Sequence, residues 1–175
     1  MFLTYKNLTI RNAIKADCPQ LAAWWNDGAV MAHAGFPNGL GTTAEKIAEQ
    51  ISTDTDDTRR RLVIALDGAL IGETSYTIKG DAAEIGIKIC DFTKQERGLG
   101  RLCLSMLITA LFEKGCKKIV LDTNVKNTRA QHVYELLGFR RVRINKDAWI
   151  DQVGVPQSFI DYELLPEEFH SFLIS

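Results

Sequence analysis

Hydrophobic and polar positions alternate with a period of two in several short segments of the chain, and this pattern predicts β-strands. In residues 83–89, Ile85, Ile87 and Ile89 fall on one face, while Glu84 and Lys88 fall on the other. The turn pair Asp-Gly at 67–68 predicts a hairpin between two of the strands. Further strands are predicted at residues 8–11, 61–66, 70–78, 118–124, 139–150 and 158–165.

Apolar positions recur at helical spacing in the stretches between these strands. The longest helix is predicted over residues 98–114, where Leu99, Leu102, Met106 and Leu111 share a face. Other helices are predicted around residues 17–27, after Thr42 and Glu45, which would form a capping box, after Asn127 as N-cap, and at 166–172. Asp17 is the expected N-cap of the first of these helices.

The order of these elements predicts the fold class. A strand is followed by two helices, three or four strands, a helix, a strand, a helix and two strands, which indicates an α/β or α+β protein with a mixed sheet. The strands at 83–89 and 118–124 flank a helix, so we expect them to be parallel. The chain has 175 residues, of which 46% are hydrophobic, and we expect one domain spanning residues 1–175.

Charge and cysteine usage narrow the classes of partner and compartment. The formal net charge is −1, so no field of the whole molecule attracts nucleic acid, and no nucleic-acid partner is expected. No run of about 18 apolar residues predicts a membrane span, and no signal peptide is evident at the N-terminus. Cys18, Cys90, Cys103 and Cys116 lack metal-ligand spacing, so no metal is expected. As buried free thiols they fit a reducing, cytoplasmic location.

The segment Gln95-Glu96-Arg97-Gly98-Leu99-Gly100 spans the turn between a strand and the longest helix. The first turn of a helix has N–H groups without partners and a partly positive end, and glycines let a ligand approach the backbone. Arg97 and Arg101 add positive charge, so the turn predicts a phosphate site. The glycines alone leave its ligand open, although no Gly-Lys-Ser/Thr follows and Cys103 occupies the third glycine position of a dinucleotide fingerprint.

Two motifs in the correct order resemble those of the GNAT acetyltransferases. Gln-x-x-Gly-x-Gly at 95–100 resembles the cofactor motif of that family, and Asn-x-x-Ala at 127–130 with Tyr-x-x-x-Gly-Phe at 134–139 is similar to its second motif. Residues 8–11 and 24–27 resemble the N-terminal part of its RimJ/RimL-like branch. The resemblance covers nearly the whole chain. It implies a GNAT-like fold, a central mixed, mostly antiparallel sheet of about six to seven strands flanked by about four to five helices.

The resemblance also implies that acetyl-coenzyme A (acetyl-CoA) is the co-substrate, with no metal. The edge of the strand at 83–89 would contact the pantetheine arm through backbone groups, and the following turn would bind the pyrophosphate. For Asn127, a helix N-cap without any ligand contact is an equal alternative, and Arg129 is either a phosphate ligand or a solvated charge. The implied cofactor-binding residues are Ile87, Lys88, Ile89, Gln95, Glu96, Arg97, Gly98, Leu99, Gly100, Arg101 and Asn127.

Two side chains are implied as catalytic residues. Tyr134 matches the general acid of the family, and such an acid is useful because a thiolate leaves a thioester more readily when it is protonated. Glu84 lies where some members carry an acid that could take a proton from the attacking amine. The alternatives are a Tyr134 that only packs under its helix and a Glu84 that is merely exposed or ion-paired.

The expected function is an N-acetyltransferase that moves an acetyl group from acetyl-CoA to a primary amine by direct attack in a ternary complex. The expected acceptors are a protein N-terminus, a polyamine or an aminoglycoside-like small molecule, bound under the glycine-rich loop at 28–41, where Phe36 lies. His33 is expected to be a surface or packing residue without a role. A non-catalytic acyl-CoA sensor on the same fold is the alternative, and a dinucleotide enzyme is a third. Many members of the family pair, so a homodimer is among the expected assemblies.

Overall fold

A single eight-stranded sheet forms the centre of the molecule in the computed structural model, which describes residues 1–174. The strand order is β1-β2-β3-β4-β5-β6-β8-β7, and every neighbouring pair is antiparallel except β5 and β6. This confirms the mixed, mostly antiparallel sheet. The strands are β1 (Phe2–Tyr5), β2 (Leu8–Asn12), β3 (Arg59–Leu66), β4 (Ala69–Lys79), β5 (Ala82–Ile89), β6 (Lys118–Asn124), β7 (Arg140–Ile150) and β8 (Pro156–Leu164).

The sheet has one strand more than the sequence predicted, and the additional strand is β1. It pairs with β2 through a tight turn in which Lys6 adopts a φ of 54°. Phe2 and Thr4 are exposed and Leu3 and Tyr5 are half-buried, so β1 is a short edge strand with one partner. The predicted hairpin at Asp67 and Gly68 is confirmed, because both residues have positive φ values, 51° and 83°.

Five α-helices lie in the described part of the chain, in agreement with the expected number. They are α1 (Cys18–Asn26), α2 (Gly28–Met31), α3 (Ala44–Ser52), α4 (Leu99–Glu113) and α5 (Thr128–Leu136). The predicted helix at 166–172 is only the 3-10 turn Pro166–Glu168.

One of the predicted helix caps is displaced by one residue, and another has the predicted position without a capping hydrogen bond. Thr43, one residue later than predicted, caps α3 by accepting a hydrogen bond from the Lys46 backbone N–H. Asp17 does not cap α1 with its side chain. Its carboxylate instead accepts hydrogen bonds from the Arg11 guanidinium at 2.7 Å and from the Ile14 backbone N–H at 2.9 Å. The buried ion pair therefore joins the start of α1 to β2.

The helices cover the two faces of the sheet unequally. On one face, α4 contributes fully buried Leu107, Ile108 and Leu111 to the larger core, which also includes Tyr134 of α5. On the other face, α1, α2 and α3 form a smaller core around Leu21, Ile47 and Val63. The smaller core packs on the Val63 side chain of β3. Glu84 and Gly86 of β5 and Asp122 of β6 are exposed, so part of this second face is open to solvent.

The parallel strands β5 and β6 separate before either of them ends. Residues 82–84 pair with residues 118–120, and no further pair continues this ladder, although β5 runs to Ile89 and β6 to Asn124. The backbone groups of β5 beyond Glu84 therefore face a gap rather than a neighbouring strand on that side. This gap connects the two faces of the sheet and positions the site described next.

No helix within residues 1–174 combines the length and the apolar character that a membrane crossing requires.

Candidate active site

A cavity of about 480 Å³ opens at the gap between β5 and β6, on the side of α4 and α5. We call it the loop cavity, since its wall includes the turn between β5 and α4. Every cofactor-binding residue predicted from the sequence lines it except Arg97. Arg129, whose role the sequence did not decide, also lines it. So do His33 and the α2 residues Ala29 and Val30, because the first residues of the predicted glycine-rich loop are helical.

The turn between β5 and α4 leaves its backbone open to the loop cavity. The Gln95 side chain donates a hydrogen bond to the Ile89 carbonyl at 2.8 Å, which fixes the path of the turn. Gly98 is the N-cap of α4, with a φ of 74° and no side chain that could satisfy the first-turn N–H groups. A Cβ atom at Gly100 would meet nothing within 4 Å, so the first turn of α4 is unobstructed there.

Basic side chains surround this helix start. Lys94 and Arg101 line the loop cavity, and the Arg101 guanidinium lies 4.9 Å from the centroid of the Phe172 ring, which holds it in place. Arg129 lies across the mouth of the turn, where its Nη1 is 3.6 Å from Glu96 Oε1. Free N–H groups, a helix N-terminus and these cations together form a site with the chemistry of a phosphate receptor.

Asn127 lies where the loop cavity meets a second cavity, and it lines both. Its side-chain oxygen accepts a hydrogen bond from the Ala130 backbone N–H at 3.2 Å, so the predicted N-cap of α5 is confirmed. The amide nitrogen is left for a ligand, and its contact with the cofactor stays a prediction.

Tyr134 also lines both cavities, although only 7% of the residue is exposed. Its ring makes edge contacts with Phe139 and Tyr162, with centroids 5.8 Å and 5.6 Å away. Burial first, and then the charge of Asp122, raise the pKa of Tyr134 to about 12. The phenol is therefore fully protonated near neutral pH.

The Tyr134 hydroxyl is open to the cavities. It makes no hydrogen bond to any other described residue. It is nevertheless not fully buried, because the one fully buried side-chain nitrogen or oxygen without a partner among residues 1–174 is Asn145 Nδ2. The hydroxyl must therefore be reachable from the cavities, as a proton donor to a bound ligand would be.

The second cavity, of about 330 Å³, lies on the opposite face of the sheet, and we call it the sheet-face cavity. Its floor is formed by small side chains, Ser75 of β4 and Gly86 of β5. Glu73 lies at one side, where its carboxylate accepts a hydrogen bond from Trp25 Nε1 at 2.8 Å and pairs with Lys88 Nζ at 3.2 Å. The remaining charged residues that line it are Arg59, Arg61 and Asp122.

The glycine-rich loop covers this region, as the sequence indicated, but through different residues. His33 lines both cavities and Ala34 lines the sheet-face cavity, whereas Phe36 packs into the smaller core. Gly35, with a φ of 90°, lies directly against the Trp149 ring, where a Cβ would collide with the indole. The loop is further held by Gln152 of the β7–β8 hairpin, whose side chain donates to the Gly39 carbonyl at 2.9 Å.

Asp122 is the acidic side chain that the structure brings to Tyr134, and it was not among the catalytic residues predicted from the sequence. It lines the sheet-face cavity from β6. Burial, followed by the charges of Glu84 and Asp161, raises the pKa of Asp122 above its ordinary value. The alternation in β6 was the available signal, because Ile119 and Leu121 enter the larger core and Asp122 must face the other side.

Glu84 lies in a different environment from Tyr134. Its side chain is 51% exposed and pairs with Lys79 at 3.2 Å. It lines a third cavity of about 230 Å³ with Asp122 and Asp161, and it lines neither cavity that Tyr134 lines. The structure therefore does not bring the two predicted catalytic residues together, and a catalytic role for Glu84 stays a prediction.

No group of three or more His, Cys, Asp or Glu residues within the described chain has an arrangement that could hold a metal ion.

Comparison with known families identifies one match over most of the chain. The family model for the acetyltransferase (GNAT) domain matches residues 7–140. No curated protein sequence matches the chain.

Solved structures with the same fold cover nearly the whole chain. Spermidine N-acetyltransferase from Vibrio cholerae, solved with CoA and spermine, is 22% identical, with a TM-score of 0.82 over 94% of this chain and 98% of that chain. The ribosomal-protein-S5-alanine acetyltransferase from Vibrio fischeri is 15% identical, with a TM-score of 0.82 over 97% of this chain and 99% of that chain. RimL, a ribosomal L7/L12 α-N-protein acetyltransferase, is 18% identical, with a TM-score of 0.80 over 94% of each chain.

Proposed function

This chain belongs to the GNAT acetyltransferase family, and from that membership we propose that it moves an acetyl group from acetyl-CoA to a primary amine by direct attack in a ternary complex. The observation that carries this proposal is the position of the Tyr134 side chain, which lines the loop cavity and the sheet-face cavity at once. One cavity would hold the thioester and the other the amine, with the phenol between them.

The loop cavity suits acetyl-CoA, which supplies the activated acetyl group. The first-turn N–H groups of α4 and the cations Lys94 and Arg101 would bind the pyrophosphate. Beyond Glu84, the edge of β5 is not paired with β6, so its backbone groups are available to the pantetheine amides, apart from the Ile89 carbonyl, which accepts a hydrogen bond from the Gln95 side chain. The same backbone edge would polarise the thioester carbonyl as negative charge develops on its oxygen.

Tyr134 would act as the general acid. The amine nitrogen forms a bond to the acetyl carbon, the carbon–sulfur bond breaks, and the phenol donates its proton to the departing sulfur. A pKa of about 12 keeps this proton on Tyr134 until a thiolate forms. The product amide nitrogen loses its extra proton to a base, which restores the balance of protons.

We assign that base role to Asp122, with Glu84 as the alternative. Asp122 lines the cavity that the amine would enter, and its raised pKa makes it a better proton acceptor than an ordinary aspartate. Glu84 would then act through Asp122, since its negative charge helps to raise that pKa. If Glu84 were itself the base, the proton of the amine would have to reach it through water in the third cavity.

The acceptor candidates remain a protein N-terminus, a polyamine and an aminoglycoside-like amine. Support for the first two comes from the structures with the same fold, which are named for ribosomal proteins and for spermidine.

The test is acetyl-CoA turnover, followed by release of free CoA thiol, over a panel of amines with wild type and Tyr134→Phe. We expect the variant to lower kcat on the order of 100-fold, because it removes only the transferred proton. Its affinity for acetyl-CoA, measured by calorimetry, should not change, which controls for folding.

Turnover of no amine, or a fully active Tyr134→Phe variant, would contradict this mechanism. Tight acetyl-CoA binding without any turnover would support the alternative of a non-catalytic sensor on the same fold.

A further inference from the structure

Two arginine side chains of β3, Arg59 and Arg61, line the sheet-face cavity opposite Asp122. They are separated by one residue on a strand, so both point to the same face. Arg61 Nη1 pairs with Asp54 Oδ1 at 2.8 Å, and its side chain is only 14% exposed. Burial and the nearby charge of Arg59 lower the pKa of Arg61 despite that partner, so the two guanidinium groups lie close enough to repel each other.

Arg59 is the arginine of this pair whose positive charge is not balanced by an ion-pair partner among the described residues. Among residues 1–174, no carboxylate lies within ion-pair distance of its side chain, which is exposed toward the cavity. Among these residues, Asp54 is the one acid that pairs with either guanidinium, and its partner is Arg61. Asp54 also accepts a hydrogen bond from the Arg61 backbone N–H at 2.9 Å. The charge of Glu73 also acts on Arg61, so Arg59 is the cation of the pair that is left to bind a further anion.

Once the ion pairs of the sheet-face cavity are set aside, one positive and one negative side chain remain at its opposite sides. Lys88 and Glu73 neutralise each other at 3.2 Å. What remains is Arg59 without a partner at the β3 side and Asp122 at the β6 side, beside Tyr134. A ligand that matches this cavity is positive at one end and negative at the other.

The width of the cavity sets the size of that ligand. β3 and β6 are three strand positions apart, which is roughly 14 Å between backbones where all the strands are paired at about 4.8 Å for each step, and more at Asp122, which lies beyond the last pair of β5 and β6. The Arg59 and Arg61 side chains line the cavity from the β3 side, and the small residues Ser75 and Gly86 line it between β3 and β6. The Arg59 and Asp122 side chains and their hydrogen bonds to the ligand take up much of this distance, so an amine and an anionic group on one small molecule would span the rest. A linear diamine would instead leave its second ammonium group against Arg59.

We propose that the acceptor is a primary amine that also carries a carboxylate, with the carboxylate bound by Arg59 in front of Arg61 and the amine beside Asp122 and Tyr134. This inference rests on the proposed acetyltransferase function and selects among its acceptors. Arg59 is the residue that determines this specificity, and an arginine suits it because the guanidinium can bind both carboxylate oxygens.

The experiment compares three amines that share one carbon skeleton, 4-aminobutyrate, 4-aminobutyramide and 1,4-diaminobutane, as acceptors at saturating acetyl-CoA. For wild type we expect kcat/KM to be about tenfold higher for the acid than for its amide, and lowest for the diamine. Arg59→Gln should remove the preference by raising KM for the acid while leaving the amide unchanged. Arg59→Glu should reverse the order in favour of the diamine.

Arg60→Gln is the matched control. It is the next residue of β3, it pairs with Asp56, and it lines none of the three cavities, so the order of the three amines should not change. A second arm uses C-terminally amidated tripeptides, Ser-Asp-Ala and Ser-Asn-Ala, as acceptors. A preference confined to the aminobutyrate pair indicates a small amino acid, and a preference confined to the peptide pair indicates an acidic peptide, both within the proposal.

Calorimetry with the enzyme–CoA complex separates the two proposals. Tighter binding of the acid than of the amide, lost in Arg59→Gln, but without acetylation, would support the carboxylate site and contradict the acetyltransferase function. Acetylation of acid and amide with equal kcat/KM in both arms, or an equal loss for both in Arg59→Gln, would overturn the carboxylate site alone. Absence of both binding and turnover for every amine would overturn both.

Discussion

Asp122 and Glu84 are neighbours in the third cavity, and a pair of substitutions distinguishes their roles. If Asp122 is the base, Asp122→Asn should lower kcat/KM on the order of 100-fold near pH 7, with a smaller loss at high pH, where the amine deprotonates without help. Glu84→Gln should keep most of the activity. Because it removes a negative charge that raises the pKa of Asp122, it should extend activity to lower pH.

The measurement is kcat/KM against pH for wild type and both variants, with the same amine. A loss of about 100-fold in Glu84→Gln together with near-normal Asp122→Asn would assign the base to Glu84 instead. Unchanged acetyl-CoA affinity in both variants is the control, since neither residue lines the loop cavity.

At the same scale, the sequence predicted the residues whose chemistry depends on local structure. Gly98 is required because the N-cap of α4 adopts a left-handed φ, and this constraint is visible in the motif itself. Arg59 and Asp122 carried no comparable local signal. They lie on opposite sides of β4 and β5, and alternation alone cannot tell whether a side chain on the second face lies at the gap or, like Glu84, beyond it.

The start of α5 combines a structural role with a proposed ligand contact in one residue, Asn127. Asn127→Ala should lower the free energy of unfolding by about 1 kcal/mol because the hydrogen bond to the Ala130 N–H is lost. Asn127→Ser can still cap the helix, so its stability should remain near that of wild type. Both variants lack the amide, and both should weaken acetyl-CoA binding severalfold if the amide contacts the cofactor.

Urea unfolding and calorimetry with acetyl-CoA give the two readouts. An Asn127→Ser variant with wild-type affinity for acetyl-CoA would show that Asn127 is only a cap.

Elements were predicted well where their pattern was strong and poorly where a partner decided them. The long helix α4 and the alternating strand β5 appear within a residue or two of the expected ends. β1 was missed since its four residues, two exposed and two half-buried, become a strand only by pairing with β2. The separation of β5 from β6 is also not encoded in either strand's alternation, and yet it creates the site.

At the scale of the whole molecule, the two faces of the sheet carry different cavities. The larger core, on the side of α4 and α5, supports the loop cavity, and the open second face provides the sheet-face cavity. The gap between β5 and β6 is the only break in the sheet's hydrogen bonding that joins these two cavities within the described chain. A reaction between two large substrates could therefore proceed with each bound to its own face.

Buried thiols and phenols should make the folded state sensitive to alkaline pH. Burial raises the pKa of Cys90 and of Cys103 to about 12, and the pKa of Tyr76 and of Tyr134 to about 12. In the unfolded chain, thiols lose their protons near pH 8.5 and phenols near pH 10. The folded protein thus holds more protons in this range, so its stability is complete below about pH 8.5 and is lost as pH rises toward 12.

The expected loss is about 1.4 kcal/mol in the free energy of unfolding for each pH unit and each buried thiol, beginning near pH 8.5. Urea unfolding at pH 7, 9 and 10 under reducing conditions measures it. Cys103→Ala is the control variant, because it removes one of the two thiols with a pKa of about 12. It should reduce the slope above pH 8.5 by somewhat less than half, since the pKa of Cys18 and of Cys116 is also raised. A free energy of unfolding that stays level from pH 8 to pH 10 in wild type would show that the buried thiols ionise as readily in the folded protein as in the unfolded chain.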